Sequence, residues 1–310
     1  MRQKIFINTL NQFLFFSSSL SFKMFKALLL TTLVSITTVI AGTNAFYGLN
    51  YGVNTDACPT LEDVKHDFRA ISQYTNIVRI YSVKDCDLGD LALKASQATK
   101  LRLYLGMWVD KTDSFDKELS ALERISKSNP FYNVEAVIVG SEVMYRGDLQ
   151  SSELVDCIGK VKKLLGSQGT KITTADVYYK FTPEIINAID FVMMNAFTYW
   201  EGVPIEVAPD TLLEHYRHVQ SISNGKLVRI SETGWPDQGN QNKESIPTPE
   251  NQKDFMLKTL CKTKEQGIEM IWFSAIDETY KPGVESHFGL LDSNRQLKSE
   301  YTYDRLMSPC

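Results

Sequence analysis

The chain has 310 residues, 43% hydrophobic and 23% charged, enough to bury one large core or two small ones. Seventeen glycines and 10 prolines are too few for a collagen-like or disordered chain. The formal charge is −4, and the four cations Arg2, Lys4, Lys23 and Lys26 precede every acidic residue, which leaves −8 on the rest. An acidic body without a basic run argues against nucleic acid and anionic membrane surfaces as partners, and suits a neutral ligand.

In chain order, the first element is a targeting segment. Lys23 and Lys26 precede an uncharged, mostly apolar run over 27–41, then small residues as far as Ala45. That is a positive n-region, an h-region and a cleavage zone after Ala41 or Ala45. The run is about 15 residues, short of the roughly 20 that span a bilayer. A cleaved secretory signal is therefore expected, with an uncleaved signal anchor as the alternative. Met24 stands directly before the pattern, so residues 1–23 read as an upstream extension from a misassigned start. The expected division is a removed segment at 1–45 and a single folded domain at 46–310. The last residues, 306–310, lack the apolar tail of a lipid-anchor signal.

Beyond Phe46, short runs rich in Val, Ile, Tyr and Phe recur at 46–52, 77–83, 102–109, 136–142, 171–177, 191–197, 227–235 and 270–277. Helical spacing fills the gaps: Leu61, Val64, Phe68 and Ile71 share a face, as do Leu119, Leu122 and Ile125, then Leu154, Ile158, Val161 and Leu165. Phe255, Leu257 and Leu260 repeat it more loosely. Asp210 and Thr248, the latter before Pro249, look like helix starts. Eight strands alternating with helices imply a parallel sheet, because parallel strands need crossover connections. Eight units in about 265 residues predict an α/β fold, a single closed (β/α)8 TIM barrel. A doubly wound open sheet is the rival, weakened because Gly48 and Gly52 do not make a dinucleotide-binding glycine pattern.

Five cysteines lie past the leader, at 58, 86, 157, 261 and 310, with no CxxC or His-rich pattern, so no metal and no cofactor are expected. In a secreted chain they read as two disulfides and one thiol. Cys58 and Cys86 follow the first two strands at one end of the barrel, and Cys261 sits on a late helix that the terminal Cys310 can reach. The expected pairs are Cys58–Cys86 and Cys261–Cys310, with Cys157 free. No N-x-[ST] acceptor occurs, so N-glycosylation is not expected.

A TIM barrel places its active site at the C-terminal ends of the strands. Two strand candidates end there in a carboxylate: Val139-Gly140-Ser141-Glu142 on the fourth and Ile230-Ser231-Glu232 on the seventh. Strands four and seven face each other across the mouth. Two carboxylates flanking a glycosidic bond are what glycoside hydrolysis requires. Either glutamate alone would read as an ordinary surface residue; the opposed pair is the signal.

At these residues the chain resembles glycoside hydrolase family 17, the β-1,3-glucanases. The run Ile230-Ser231-Glu232-Thr233-Gly234-Trp235-Pro236 is similar to its nucleophile signature, and residues 139–146 to the acid/base motif of its fungal branch. Residues 195–200, 277–281 and 287–290 fit in register, and the likeness runs from Phe46 to about Asp304. The nearest likeness is to yeast cell-wall β-1,3-glucanases that also act as glucanosyltransferases. The resemblance implies a retaining β-1,3-glucan hydrolase or glucanosyltransferase, with Glu142 as general acid/base and Glu232 as nucleophile. It also implies a secreted, cell-wall location and a β-1,3-glucan partner. Where plant members carry Asn before the acid/base, this chain has Ser141, so the group meeting the sugar's 2-hydroxyl differs.

Pyranose rings pair apolar faces with polar rims, as amphipathic aromatics do. Tyr47, Tyr81, Tyr145, Tyr199, Trp200 and Trp235, at or past strand ends, are therefore candidate sugar contacts, with Ser141 and Asn195. Trp108 and Trp272 read as core packing. Glu278 and Lys281, after the eighth strand, are expected either to orient the nucleophile or a sugar hydroxyl, or to form a plain surface pair. His66, His215 and His218 read as helix-face residues. A monomer is expected. Two rival functions are a non-catalytic glucan-binding wall protein, against which both glutamates count, and a β-1,4-glucan hydrolase, against which the 232–236 run counts.

Overall fold

The computed structural model describes residues 44–166 and 168–310; the predicted leader over 1–45 falls almost wholly outside them. Eight parallel strands close into a barrel in sequence order. They are β1 Gly48–Asn50, β2 Ile77–Arg79, β3 Arg102–Met107, β4 Val134–Ser141, β5 Lys171–Val177, β6 Val192–Asn195, β7 Val228–Thr233 and β8 Met270–Trp272. Each lies on one of the eight apolar runs, and β1 pairs with β8 to seal the ring. The predicted (β/α)8 barrel is the fold observed.

The crossover helices bury the faces their spacing predicted. Leu61–Ile71 turns Val64, Phe68 and Ile71 inward, and Ser151–Leu165 does so with Leu154, Ile158, Val161 and Leu165. Pro249–Gln266 starts as expected, with Thr248 accepting from Asn251 N at 3.1 Å. The helix expected to begin near Asp210 instead spans Ala208–Ile222, because Pro209 fits its first turn, where no amide donor is needed. Both expected disulfides form, Cys58–Cys86 and Cys261–Cys310, and Cys157 is a buried free thiol.

Two apolar layers hold the structure. One lies between barrel and helices; the other fills the barrel's lower interior with Ile77, Tyr104, Ala136, Ile138, Ala175, Phe191, Met193 and Ile271. Side chains alternate along a strand, so the next inward position after Ile77 is Arg79, and after Met193 it is Asn195. The interior thus changes from apolar to polar within two residues, at the C-terminal ends of the strands.

Candidate active site

Glu142 and Glu232 reach the same space because the ladder is irregular beside each. The β6–β7 register shifts between Met194 and Asn195, and the β4–β5 register between Ile138 and Ser141. Such bulges re-aim side chains, and here Ser231 and Glu232, neighbours in sequence, both meet Asn195. Glu142 follows β4 in the left-handed region, φ 60°, and starts the short helix Val143–Arg146. Gly140, φ 79°, permits the approach, since a Cβ there would lie 2.4 Å from Val143 Cγ2. A non-glycine residue at positive φ costs about 1–3 kcal/mol and persists only when its surroundings enforce it. Asp176 helps to do so: its carboxylate accepts from Met144 N at 2.8 Å, fixing the turn behind Glu142.

The two carboxylates share one amide. Asn195 Nδ2 donates to Glu142 Oε1 and to Glu232 Oε1, each at 3.0 Å, so these oxygens are no more than 6 Å apart. The amide's orientation is fixed from behind by Ser231 Oγ, which donates to Asn195 Oδ1 at 2.6 Å. Their surroundings differ sharply. Arg79, 1% exposed, places Nη1 2.6 Å from Glu232 Oε1. Its guanidinium also donates to Asn50 Oδ1 at 3.2 Å, Ser231 O at 3.1 Å and Ser141 Oγ at 3.0 Å. A buried cation is tolerated when paired and hydrogen-bonded like this. Glu142 has no such cation against it. Burial above all, then the charge of Glu232, raises its pKa from 4.5 to about 7, against the hydrogen bond from Asn195. Asp176 is likewise raised, to about 6, chiefly by burial.

A cleft of about 870 Å³ runs across this pair. Of the residues predicted to bind, Tyr81, Ser141, Tyr145, Asn195, Trp200, Glu278 and Lys281 line it. Tyr47, Tyr199 and Trp235 do not. Tyr47 precedes β1 and so sits at the opposite end of the barrel, its hydroxyl 2.8 Å from that of Tyr104. Tyr199 is fully buried under the short helix Thr198–Glu201, its hydroxyl donating to Asn240 O. Trp235 is fully buried against Tyr199 and Phe255, with Nε1 bound to Ile246 O. Trp108 reverses its expectation: it follows β3, lines the cleft and carries Arg146 4.4 Å above its ring. Trp272 is in the core, as expected.

Glu278, 4% exposed, forms an ion pair with Lys281 at 2.5 Å, outside hydrogen-bonding alignment, and accepts from Tyr280 OH at 3.0 Å. Gly52 is required beside it, since a Cβ there would fall 1.9 Å from Glu278 Oε1. Tyr81 places a buried hydroxyl without a protein partner at the cleft.

The sequence reading missed Arg79, Asn50 and Asp176, and on the rim Tyr178, Tyr179 and Glu201. An arginine inside the apolar run Ile77-Val78-Arg79-Ile80 is itself a signal, since unpaired arginine is almost never buried. His215, read only as a helix-face residue, stacks on Tyr178 at 3.6 Å and bonds Glu201 at 2.9 Å. Among the described residues, the one trio of potential metal ligands close enough to share an ion is Cys261, Glu265 and Cys310, and its two sulfurs are bonded to each other.

The family model for the BtgE/BtgC glycoside hydrolase domain matches residues 48–289. A glucan 1,3-β-glucosidase of Saccharomyces cerevisiae is 29% identical, over 80% of this chain and 88% of its own. Its counterpart in Schizosaccharomyces pombe is 31% identical, over 86% of this chain and 89% of its own. Among solved structures, a glycoside hydrolase family 17 β-1,3-glucanosyltransferase from Rhizomucor miehei superposes with a TM-score of 0.82 and 48% identity, covering 84% of this chain and 97% of its own. An active-site mutant of it in complex with laminaritriose matches with the same TM-score and coverage, at 47% identity.

Proposed function

This chain belongs to the BtgE/BtgC glycoside hydrolase family, within the fungal branch of glycoside hydrolase family 17, and on that footing we propose that it is a retaining β-1,3-glucan hydrolase and glucanosyltransferase. The observation that carries the reading is the carboxylate pair joined through Asn195. Retaining enzymes hold their carboxyl groups about 5–5.5 Å apart, whereas inverting ones leave about 6.5–9.5 Å for an intervening water. The bound of 6 Å set by the shared amide supports the first class.

Glu142, protonated through burial, gives its proton to the glycosidic oxygen as the C1–O bond breaks. Glu232, held by Arg79, attacks C1 and forms a glycosyl ester. Glu142, now a carboxylate, takes the proton from an incoming hydroxyl, which displaces Glu232 with net retention. Burial and neighbouring charge setting apart two identical side chains is the familiar route to such a division of labour. The chain leaves past the group that protonates it, so the acceptor side is the β4–β6 side, where Tyr145, Tyr179 and Trp200 line the cleft. Tyr81, Glu278 and Lys281, after β2 and β8, face the donor sugar. Three exposed aromatics on the acceptor side raise local sugar concentration against water, which favours transfer.

Secretion to a cell wall is part of the same proposal. It is supported by two disulfides, which form in oxidising compartments, and by the leader pattern over 27–41. The test is to incubate one laminari-oligosaccharide with the purified protein at millimolar concentration and resolve the products. Products longer than the substrate are expected. Only shorter ones at every concentration refute transfer, and no turnover at all supports the glucan-binding alternative.

A further inference from the structure

The acceptor wall is built on a segment that cannot support itself. Trp200 and Glu201 belong to the helix Thr198–Glu201, and an isolated turn of four residues is unstable in water. Gly202 N and Val203 N close the turn onto Tyr199 O and Thr198 O. The later carbonyls need donors from elsewhere, and these come from the loop that leaves β7 just beyond Glu232. Asn242 Nδ2 donates to Tyr199 O and to Trp200 O, each at 2.8 Å, so both amide hydrogens bind consecutive carbonyls. Lys243 Nζ donates to Glu201 O at 3.3 Å, and Ser245 Oγ to Val203 O at 2.8 Å. The loop is stiffened by the antiparallel bridge Asn242–Ser245. Contact is tight: a Cβ on Gly202 would lie 2.5 Å from Lys243 Cδ.

We propose that Asn242 is a positioning residue for acceptor binding: it latches the Trp200 wall onto the loop that follows the strand carrying Glu232. Asn242 does not line the cleft, and it holds the two carbonyls flanking the Trp200 backbone nitrogen and carbon. The ratio of transfer to hydrolysis is then set partly by a side chain that touches neither sugar nor carboxylate. The inference rests on the assignment of Trp200 to the acceptor side.

The test uses an aryl β-laminaribioside as donor, whose leaving group makes little demand on the acceptor side, and laminaritriose as the titrated acceptor. In Asn242→Ala the acceptor concentration giving half-maximal transfer should rise about tenfold, the loss of two ordinary hydrogen bonds. Aryl release without acceptor should stay within about twofold of the parent, the split that separates a positioning role from general damage. Asn242→Asp keeps the side chain's size but faces both carbonyls with an acceptor, and should show the same split. Trp200→Ala serves as the comparison. Weakened acceptor binding there, with no change in either Asn242 variant, overturns the latch alone. Unchanged acceptor binding in Trp200→Ala overturns the acceptor-side assignment itself. A fall of aryl release in step with transfer in both Asn242 variants also rejects the inference.

Discussion

Glu142 and Glu232 are one kind of side chain at one end of one barrel, and the protein treats them oppositely. Glu232 sits among donors from three strands: Arg79 on β2, Ser141 on β4 and Asn195 on β6. Glu142 stands past the end of its strand on a strained residue, with Asn195 as its one side-chain donor. In the proposed reaction, the division into acid and nucleophile lies less in the glutamates than in their surroundings, burial for Glu142 and the Arg79 pairing for Glu232. Across a single shared amide, a cation is placed against one carboxylate and none against the other.

The comparison breaks first at the carboxylates. Glu232→Ala should lower activity on every substrate by on the order of 10⁴-fold or more, with partial rescue by azide that yields the α-glycosyl azide. Glu142→Gln should cost about 10²–10⁴-fold on laminarin but little in glycosyl-ester formation from an activated aryl glycoside. Equal losses on both substrates would remove the distinction between the two residues. Arg79→Leu tests its cause: the orphaned carboxylate should cost about 3–5 kcal/mol in chemical denaturation and about 10²–10³-fold in kcat.

pH sharpens the contrast. The alkaline limb of activity should fall near pH 7, where Glu142 loses its proton. Stability should move with it. Glu142 and Glu118 are raised from 4.5 to about 7, and Asp176 from 3.8 to about 6, each chiefly by burial. Groups raised in this way hold protons in the folded chain that the unfolded chain releases. Their contribution is complete below about pH 4 and is lost as pH rises through 6 to 7. Thermal melts should therefore show a Tm that declines over this window, and less steeply in Glu142→Gln. The smallest effect is expected at the far end of the barrel. Tyr47→Phe loses the hydroxyl's contacts with Tyr104 and Arg229 and should cost about 1–2 kcal/mol in stability while leaving kcat/KM unchanged.

The barrel was legible because each strand is a run of branched and aromatic residues closed by turn or helix signals, and the two glutamates because they stand at strand ends. The frame around them was not. Arg79 breaks an apolar run at one position, and only closure of the ring shows that this position faces Glu232 from two strands beyond the nearest pairing. The aromatics failed for a different reason. Tyr199 and Trp200 are adjacent, yet one is fully buried and the other 47% exposed, because a helical turn sends neighbours to different sides. Tyr47 was separable in principle: it precedes its strand, and the site lies only where strands end.

Asn195 acts as a caliper. A trigonal nitrogen spreads its two hydrogens about 120°, so arms of 3.0 Å span about 5.2 Å between the oxygens they hold. The gap between the glutamates is therefore tied to a bond angle as well as to the placing of β4 and β7 across the barrel. At that span the jaws are narrower than the roughly 6.5–9.5 Å that leaves room for a water on the far face. In the proposed reaction, the anomer that leaves the cleft is set in part by this one shared amide.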